Sequence, residues 1–388
     1  MSGQFVGALI KRERLRRNWS QEGLCKGVCA VSYLSKIEQG KVEANRDVID
    51  LLLQRLGAEW HDDDVSRRRA DTLAERLYDA FFSLDHAALA AAGQEMDANW
   101  GALSHGPRML DFWLLRASLA REIPPALSEF ASGFDQRQQT LWLLLQKKYD
   151  DALRLHPTAY TYLAAGLASY RAGNYPMALE RLQRSYDLAA ERGYAYVMLQ
   201  SRVLMGNCYS DTMDLERMRA HFRVAQRLAS ALGDPETLHT IRYNIESTNL
   251  EFGMVRECYV YFAALEHPNA MELHKLAVCC EKLGKTDEAL AAVDRAERQE
   301  GDDFITRDLV GAMCELIRYR LGHPDFLKEA AYGEKLLACF SDIRKRLPWG
   351  YANFHLPWVL EWYTATRQYK QAYELLLDFP YCKGSIHI

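Results

Sequence analysis

Apolar residues recur every three or four positions along most of the chain, which is the period of an α-helix. In the first predicted helix, at about residues 5–17, Val6, Leu9 and Ile10 face inward while basic residues continue along the outside. No segment shows the strict alternation of a half-buried strand. We therefore predict an all-α protein.

Three further short helices are predicted next, at about 20–28, 32–39 and 46–56. Ser20 and Ser32 stand where an N-cap is expected, because a serine side chain can accept from the free N–H groups of the first turn. Two short helices joined by a few residues inside a small bundle follow the helix-turn-helix plan.

Charge supports the same interpretation of the N-terminal segment. Residues 1–58 hold ten Lys and Arg against six Asp and Glu, a net charge of +4, whereas the whole chain of 388 residues carries −4. A basic head on an acidic body is typical of a nucleic-acid reader joined to another domain.

In this plan the third helix enters a major groove about 12 Å wide, so its outer face must be narrow and polar. The N-terminus of the second helix points backbone N–H groups at a phosphate, beside a polar side chain. The residues predicted to contact DNA are Gln21, Ser32, Tyr33, Ser35, Lys36 and Lys41.

The remainder of the chain contains an internal repeat. Gly166, Gly206 and Glu246 lie forty residues apart, and each begins a similar pattern of a helix, a tight turn and a second helix with small residues. More degenerate copies precede and follow, including predicted helices at 66–83, 87–98, 108–121 and 137–154. No single helix pair can bury its apolar face alone, so the pairs are expected to stack into a right-handed superhelix with a concave groove.

The predicted domains are a helix-turn-helix head at 1–58, an acidic linker at 59–66 and a repeat domain at 67–388. The repeat register places polar and aromatic residues on the inner faces of the repeat domain, where asparagine amides suit an extended peptide backbone. These predicted groove residues are Tyr170, Arg171, Gln200, Val203, Asn207, Tyr243, Asn244, Ser247, His274, Lys275, Tyr319 and Arg320.

The segments SQEGL at 20–24 and VSYLSKIEQGK at 31–41 resemble the Cro/C1-type helix-turn-helix. The run GVCAVSYLSKIE at 27–38 resembles the PlcR-like and NprR-like regulators of the RRNPP group of peptide-pheromone receptors more closely still. The repeats resemble tetratricopeptide repeats. Gly23 departs from the usual Glu or Ala of these heads and should weaken the second helix by up to about 1 kcal/mol.

The resemblance implies a structural pair between Arg14 and Glu38. It also implies a cytoplasmic quorum-sensing regulator, expected to be a homodimer, that binds an operator and a short imported peptide. The peptide-holding role is carried over to Asn207 and Asn244. Two alternatives stay open: a ligand-independent repressor that uses the repeats only for dimerisation, or a scaffold that sequesters a signalling protein.

Catalytic and metal-binding signatures are absent from the sequence. It contains no P-loop, no dinucleotide-binding glycine pattern, no H-E-x-x-H and no G-x-S-x-G. Its nine cysteines are scattered without a C-x-x-C pair, and the longest apolar runs are too short to span a membrane. We expect no enzyme activity, no cofactor, no bound metal and no membrane segment.

Overall fold

The computed structural model describes residues 2–42, 44–58, 60–61, 63–299 and 305–379. Every regular element in these residues is helical, so the predicted fold class, a helix-turn-helix followed by a helical repeat-like region, is confirmed. The predicted linker residues Glu59 and Asp62 lie outside the described residues. The chain divides into two compact units, residues 1–165 with 187–197, and residues 166–186 with 198–388.

The head contains four helices, which are α1 (Ser2–Arg16), α2 (Gln21–Cys25), α3 (Val31–Glu38) and α4 (Arg46–Arg55). Ser20 caps α2 as predicted, because its Oγ accepts from the Gly23 N–H at 3.0 Å. The expected cap at Ser32 is wrong: α3 begins one residue earlier, after Ala30, and Ser32 lies exposed within its first turn.

The helices of the first unit that follow the head are α5 (Asp64–Ser83), α6 (His86–Ala98), α7 (Trp100–Leu103), α8 (Met109–Ala120), a 3-10 helix (Pro125–Gly133), α9 (Gln136–Leu145), α10 (Tyr149–Leu155) and the start of α11 (Ala159–Arg171). The expected single helix at 137–154 is therefore two helices. They separate where Lys147 takes a left-handed φ of 59°.

The remaining helices are α12 (Tyr175–Arg192), α13 (Ala195–Asp211), α14 (Leu215–Leu232), α15 (Pro235–Glu251), α16 (Val255–Ala263), α17 (Ala270–Lys282), α18 (Thr286–Glu297), α19 (Arg307–Gly322), a 3-10 helix (Phe326–Lys328), α20 (Ala330–Arg346), α21 (Trp349–Ala365) and α22 (Tyr369–Asp378). From α11 to α16 they form three hairpins. Their turns have a positive φ at Gly173, Met213 and Gly253, which repeats the forty-residue spacing.

Close packing within the first two hairpins depends on a glycine at the repeat position. A Cβ added to Gly206 in α13 would lie 2.5 Å from the Phe222 ring of α14. Phe222 is fully buried, so only a residue without a side chain lets its ring pack against the neighbouring helix. The forty-residue pattern in the sequence thus marks real helix–helix contacts.

The head and the first body helices share one hydrophobic core. Buried Leu9 and Leu34 of the head belong to the same apolar cluster as Leu73 and Phe112 of the body. The guanidinium of Arg12 lies 4.2 Å from the centre of the Trp113 ring. Helix α5 begins at Asp64, inside the predicted linker, so the boundary near residue 58 does not divide two cores.

We predict that Gly7→Ala destabilises the first unit by about 1–3 kcal/mol, the usual cost of overpacking a close contact. A Cβ at Gly7 would lie 1.9 Å from the carbonyl oxygen of Ile37, so α1 and α3 would have to move apart. Denaturant unfolding measures the change. Gly101→Ala is the control, because a Cβ there meets nothing within 4 Å; equal stabilities for the two variants would contradict the prediction.

Candidate DNA-binding surface and ligand cavity

Helix α3, which the sequence predicts to be the recognition helix, has one buried side and one exposed side. Leu34 and Ile37 are buried in the core of the head. On the opposite side Ser32 and Lys36 are exposed, and Tyr33 is partly exposed although it packs at the edge of the core. The helix therefore presents a polar face that is available to a partner.

The two other predicted contacts near this face differ in their surroundings. Lys41 is exposed just after α3. Ser35 is partly buried, and its hydroxyl accepts from the side-chain amide of Gln39 at 3.1 Å. Lys36 and Lys41 thus provide mobile positive charge, whereas Ser35 helps to hold the surface of α3 in place.

A buried ion pair anchors the end of α3 to α1. Arg14 donates from Nε to Glu38 Oε1 at 2.7 Å and from Nη2 to Glu38 Oε2 at 3.0 Å. Both residues are buried, and these hydrogen bonds raise the pKa of Arg14. The pair that the resemblance implied is in direct contact, and it sets the position of the recognition helix.

Gln21 takes part in this network, which changes its expected role. Its Nε2 donates to Glu38 Oε2 at 2.8 Å, and the side chain is half-buried. We expected the amide to face a phosphate; in the structure one of its two N–H groups is used inside the head. A phosphate contact of Gln21 through the second N–H group stays a prediction.

Several basic residues of the head are also engaged within the protein. Arg16 and Arg17 pair with the buried Glu13 at 3.8 and 2.5 Å. Arg55 donates to the backbone carbonyl oxygens of Leu24 and Lys26. The net charge of the head therefore overstates the cationic surface that remains for DNA.

The second unit contains a polar cavity of about 210 Å³ between α11, α13, α15, α17 and the start of α21. Six predicted groove residues line it. They are Tyr170, Asn207, Tyr243, Asn244, Ser247 and Lys275. The repeat register thus brings residues from four hairpin helices to one place.

The two asparagines touch each other in this cavity. Asn244 Nδ2 donates to Asn207 Oδ1 at 3.0 Å. This leaves the Nδ2 group of Asn207 as a donor and the Oδ1 atom of Asn244 as an acceptor. The pair can hydrogen-bond a peptide group from both sides.

Three ionisable groups also line the cavity, of which Asp211 and Lys275 are buried and Glu251 is partly buried. The sequence analysis found only Lys275. Burial raises the pKa of Asp211 to about 7 and that of Glu251 to about 8, and it lowers the pKa of Lys275 to about 7. Asp211 accepts from the Tyr175 hydroxyl at 3.0 Å. Asp and Glu at helix ends are ordinary in sequence, so no local signal marked Asp211 or Glu251.

Helix α21 closes one side of the cavity, which the repeat pattern did not indicate. Asn353 Nδ2 donates to the backbone carbonyl of Asp211 at 3.0 Å. A Cβ on Gly350 would lie 2.6 Å from Asp211 Oδ1, so the start of α21 sits directly against the end of α13.

Several predicted groove residues lie elsewhere. His274 is wrong as a groove residue because it is fully buried, with its ring 5.4 Å from that of His355. Val203 is also buried, and Arg171 and Gln200 do not line the cavity.

Tyr319 and Arg320 do not line the cavity and instead form contacts between helices. Tyr319 donates to Glu329 at 2.6 Å, and Arg320 pairs with Glu281 at 2.5 Å and Glu361 at 3.1 Å. These contacts tie α19 to its neighbouring helices. The register failed here because the spacing of the repeat shortens after α16.

Among the described residues, no group of three or more His, Cys, Asp and Glu side chains could hold a metal ion. No helix in that part of the chain is long and apolar enough to cross a membrane.

Residues 10–61 match the helix-turn-helix family HTH_3, so the head is a helix-turn-helix domain of the Cro/C1 type. The chain is also similar to the transcriptional activator NprA of Geobacillus stearothermophilus, with 23% identity over 57% of this chain and 62% of NprA. It thus spans less than two thirds of that relative. The match confirms the resemblance to NprR-type regulators, and both findings support a DNA-binding transcriptional regulator.

The raised pKa of Glu251 gives a testable pH dependence. Folded Glu251 keeps its proton up to about pH 8, whereas the unfolded chain loses it near the ordinary value of 4.5. The unfolded state binds fewer protons in this window, so the contribution of Glu251 to stability falls as the pH rises from about 4.5 to 8. We expect the thermal midpoint of Glu251→Gln, measured relative to that of the wild type, to rise as the pH is raised from 5 to 8.

The control is Glu257→Gln, which changes an exposed carboxylate on α16. Its midpoint should keep a constant offset from the wild type across the same pH range. A constant offset for Glu251→Gln as well would show that the Glu251 carboxyl is ionised in the folded protein.

Proposed function

We propose that this protein is a sequence-specific DNA-binding transcriptional regulator whose helical repeat domain binds a short peptide that alters DNA binding. The exposed polar face of α3 carries the first part of the proposal, since it lies in a helix-turn-helix domain. The cavity lined by Asn207 and Asn244 supports the second part.

Homodimer formation is part of the same proposal. Tyr369 and Tyr373 on α22 are 62% and 59% exposed and lie one turn apart, next to Leu377 on the same face. An apolar stripe on the final hairpin suits contact with a second copy of the chain. Two heads in a dimer would then meet two half-sites spaced by about one DNA turn, roughly 34 Å.

A ligand-independent repressor that uses the repeats only for dimerisation is the alternative. The stripe on α22 fits both functions equally. The cavity distinguishes them: a purely structural repeat gains nothing from buried ionisable groups around an open space, because they destabilise the fold unless they are paired. We therefore favour the ligand-responsive regulator.

Replacing Lys36 by Ala should weaken binding to a duplex taken from the region upstream of the protein's own gene. A lost phosphate contact lowers affinity and reduces the slope of log K against log salt by about 1, whereas a lost base contact costs about 1–3 kcal/mol of discrimination. Fluorescence anisotropy across salt concentrations measures both quantities.

The control for this experiment is Lys370→Ala, which removes an equally exposed charge from α22. It should leave affinity and salt slope unchanged. If Lys36→Ala binds as tightly as the wild type, the assignment of α3 as the recognition helix is wrong.

Asn244→Ala should abolish or strongly reduce the response of DNA binding to the peptide. A suitable probe is a synthetic peptide from the end of a small open reading frame beside the gene. The substitution removes one partner of the asparagine pair and leaves the head untouched, so DNA affinity without peptide should stay the same. Anisotropy of labelled DNA, with and without peptide, measures the response.

Asn207→Ala should behave in the same way, and Gln371→Ala serves as a control because Gln371 is exposed on α22. A full peptide response in both asparagine variants would place the peptide elsewhere on the protein.

A further inference from the structure

Lys275 lies in an unusual position for a lysine. It is 3% exposed on α17 and lines the cavity. Its Nζ lies 2.8 Å from the centre of the Phe354 ring. No hydrogen bond or close ion pair joins this ammonium to any residue in the part of the chain that the structure describes.

Such an arrangement is costly for folding. A buried ammonium without a paired anion loses its hydration and gains little in return, and contact with an aromatic ring offsets only part of that loss. The lowered pKa of Lys275 reflects this loss of hydration. A buried ionisable group with a shifted pKa beside an open space is typical of a functional site.

Neither neighbouring acid forms a close ion pair with Lys275 among the described residues. Asp211 accepts from the Tyr175 hydroxyl and lies against the start of α21. Glu251 lines the same cavity and interacts electrostatically with Lys275, which favours the charged form of each, but burial opposes this and shifts the pKa of Glu251 up and that of Lys275 down. A carboxylate that hydrogen-bonds Lys275 directly would therefore stabilise its ammonium form.

The donors in the cavity therefore suit an anion. They are the Nζ group of Lys275 and the remaining N–H groups of Asn207. The cavity volume of about 210 Å³ is below the roughly 300–1,000 Å³ of sites that enclose a whole small ligand. It can enclose one residue of a peptide.

We propose that this cavity binds a carboxylate of the ligand and that Lys275 is the counter-ion of that carboxylate. The inference rests on the proposed peptide-binding function and adds the chemistry of one contact. The carboxylate belongs either to the C-terminus of the peptide or to an Asp or Glu side chain, which present the same group to Lys275.

Three small probes distinguish these sources when they are added to the full-length protein. N-acetyl-Ala-Ala carries only a terminal carboxylate, N-acetyl-Asp-Ala-amide carries only a side-chain carboxylate, and N-acetyl-Ala-Ala-amide carries neither. The rise in thermal midpoint with probe concentration gives each affinity by mass action. At least one of the two acids should bind the wild type at least about tenfold more tightly than the neutral amide.

Lys275→Met should remove this preference while keeping the fold, because an apolar residue of similar length replaces a buried unpaired charge. Its midpoint without probe should equal or exceed that of the wild type. Lys282→Met is the matched control, since Lys282 is exposed on the same helix and lines a neighbouring cavity. It should keep the preference for the acids.

Equal binding of acids and amide to the wild type would overturn the inference, and this comparison needs no variant. If acids and amide bind equally and Asn207→Ala weakens the binding of all three probes, the cavity still binds peptide groups. In that case only the proposed carboxylate contact is wrong. If no probe binds the wild type, the inference fails, and the DNA-binding response to the synthetic peptide still decides the proposed function. A preference that survives in Lys275→Met would also overturn the assignment of Lys275.

Discussion

A helical hairpin cannot bury its apolar side by itself, and this constraint governs the structure of the body. The first two of the three hairpins from α11 to α16 pack their helices through a glycine, as at Gly206 against Phe222, and each hairpin then needs the next one to cover its outer face. The backbone positions are thereby fixed by packing alone. Side chains on the inner faces are consequently free to vary in chemistry, and Asn207 and Asn244 meet there.

The inner face holds polar groups that packing does not require. Asp211, Glu251 and Lys275 each lose hydration around the cavity, and none forms a close ion pair with another of the three among the described residues. A protein selected only for stability would replace them by apolar side chains. Asp211 has a partner in the Tyr175 hydroxyl, whereas Lys275 has no close partner among the described residues, and such a cost is the stability–function trade-off expected of the proposed binding site.

The head could be predicted closely because its signals are local. The cap at Ser20 and the inward spacing of Leu34 and Ile37 depend on residues at most a few positions apart. The pair of Arg14 and Glu38 came from the resemblance and not from spacing. Where a local signal was ambiguous, as at Ser32, the helix began at a neighbouring residue instead.

The cavity could be predicted only in part, because it depends on contacts between distant residues. The forty-residue repeat correctly brought Tyr170, Asn207 and Asn244 together, since the same packing recurs in each hairpin. It failed for His274 and Arg320, where the repeat spacing changes. The contact of Asn353 with Asp211 joins residues 142 positions apart, and no periodicity in the sequence encodes it.

The shared core of the first unit fixes the head against the first body helices. Arg12 of α1 lies against Trp113, and α1 packs against the 3-10 helix Pro125–Gly133. The ion pair of Arg14 and Glu38 then joins α1 to α3. Helix α3 is therefore positioned by the body helices that α1 contacts as well as by the head itself, because moving α1 would disrupt either the shared core or the ion pair.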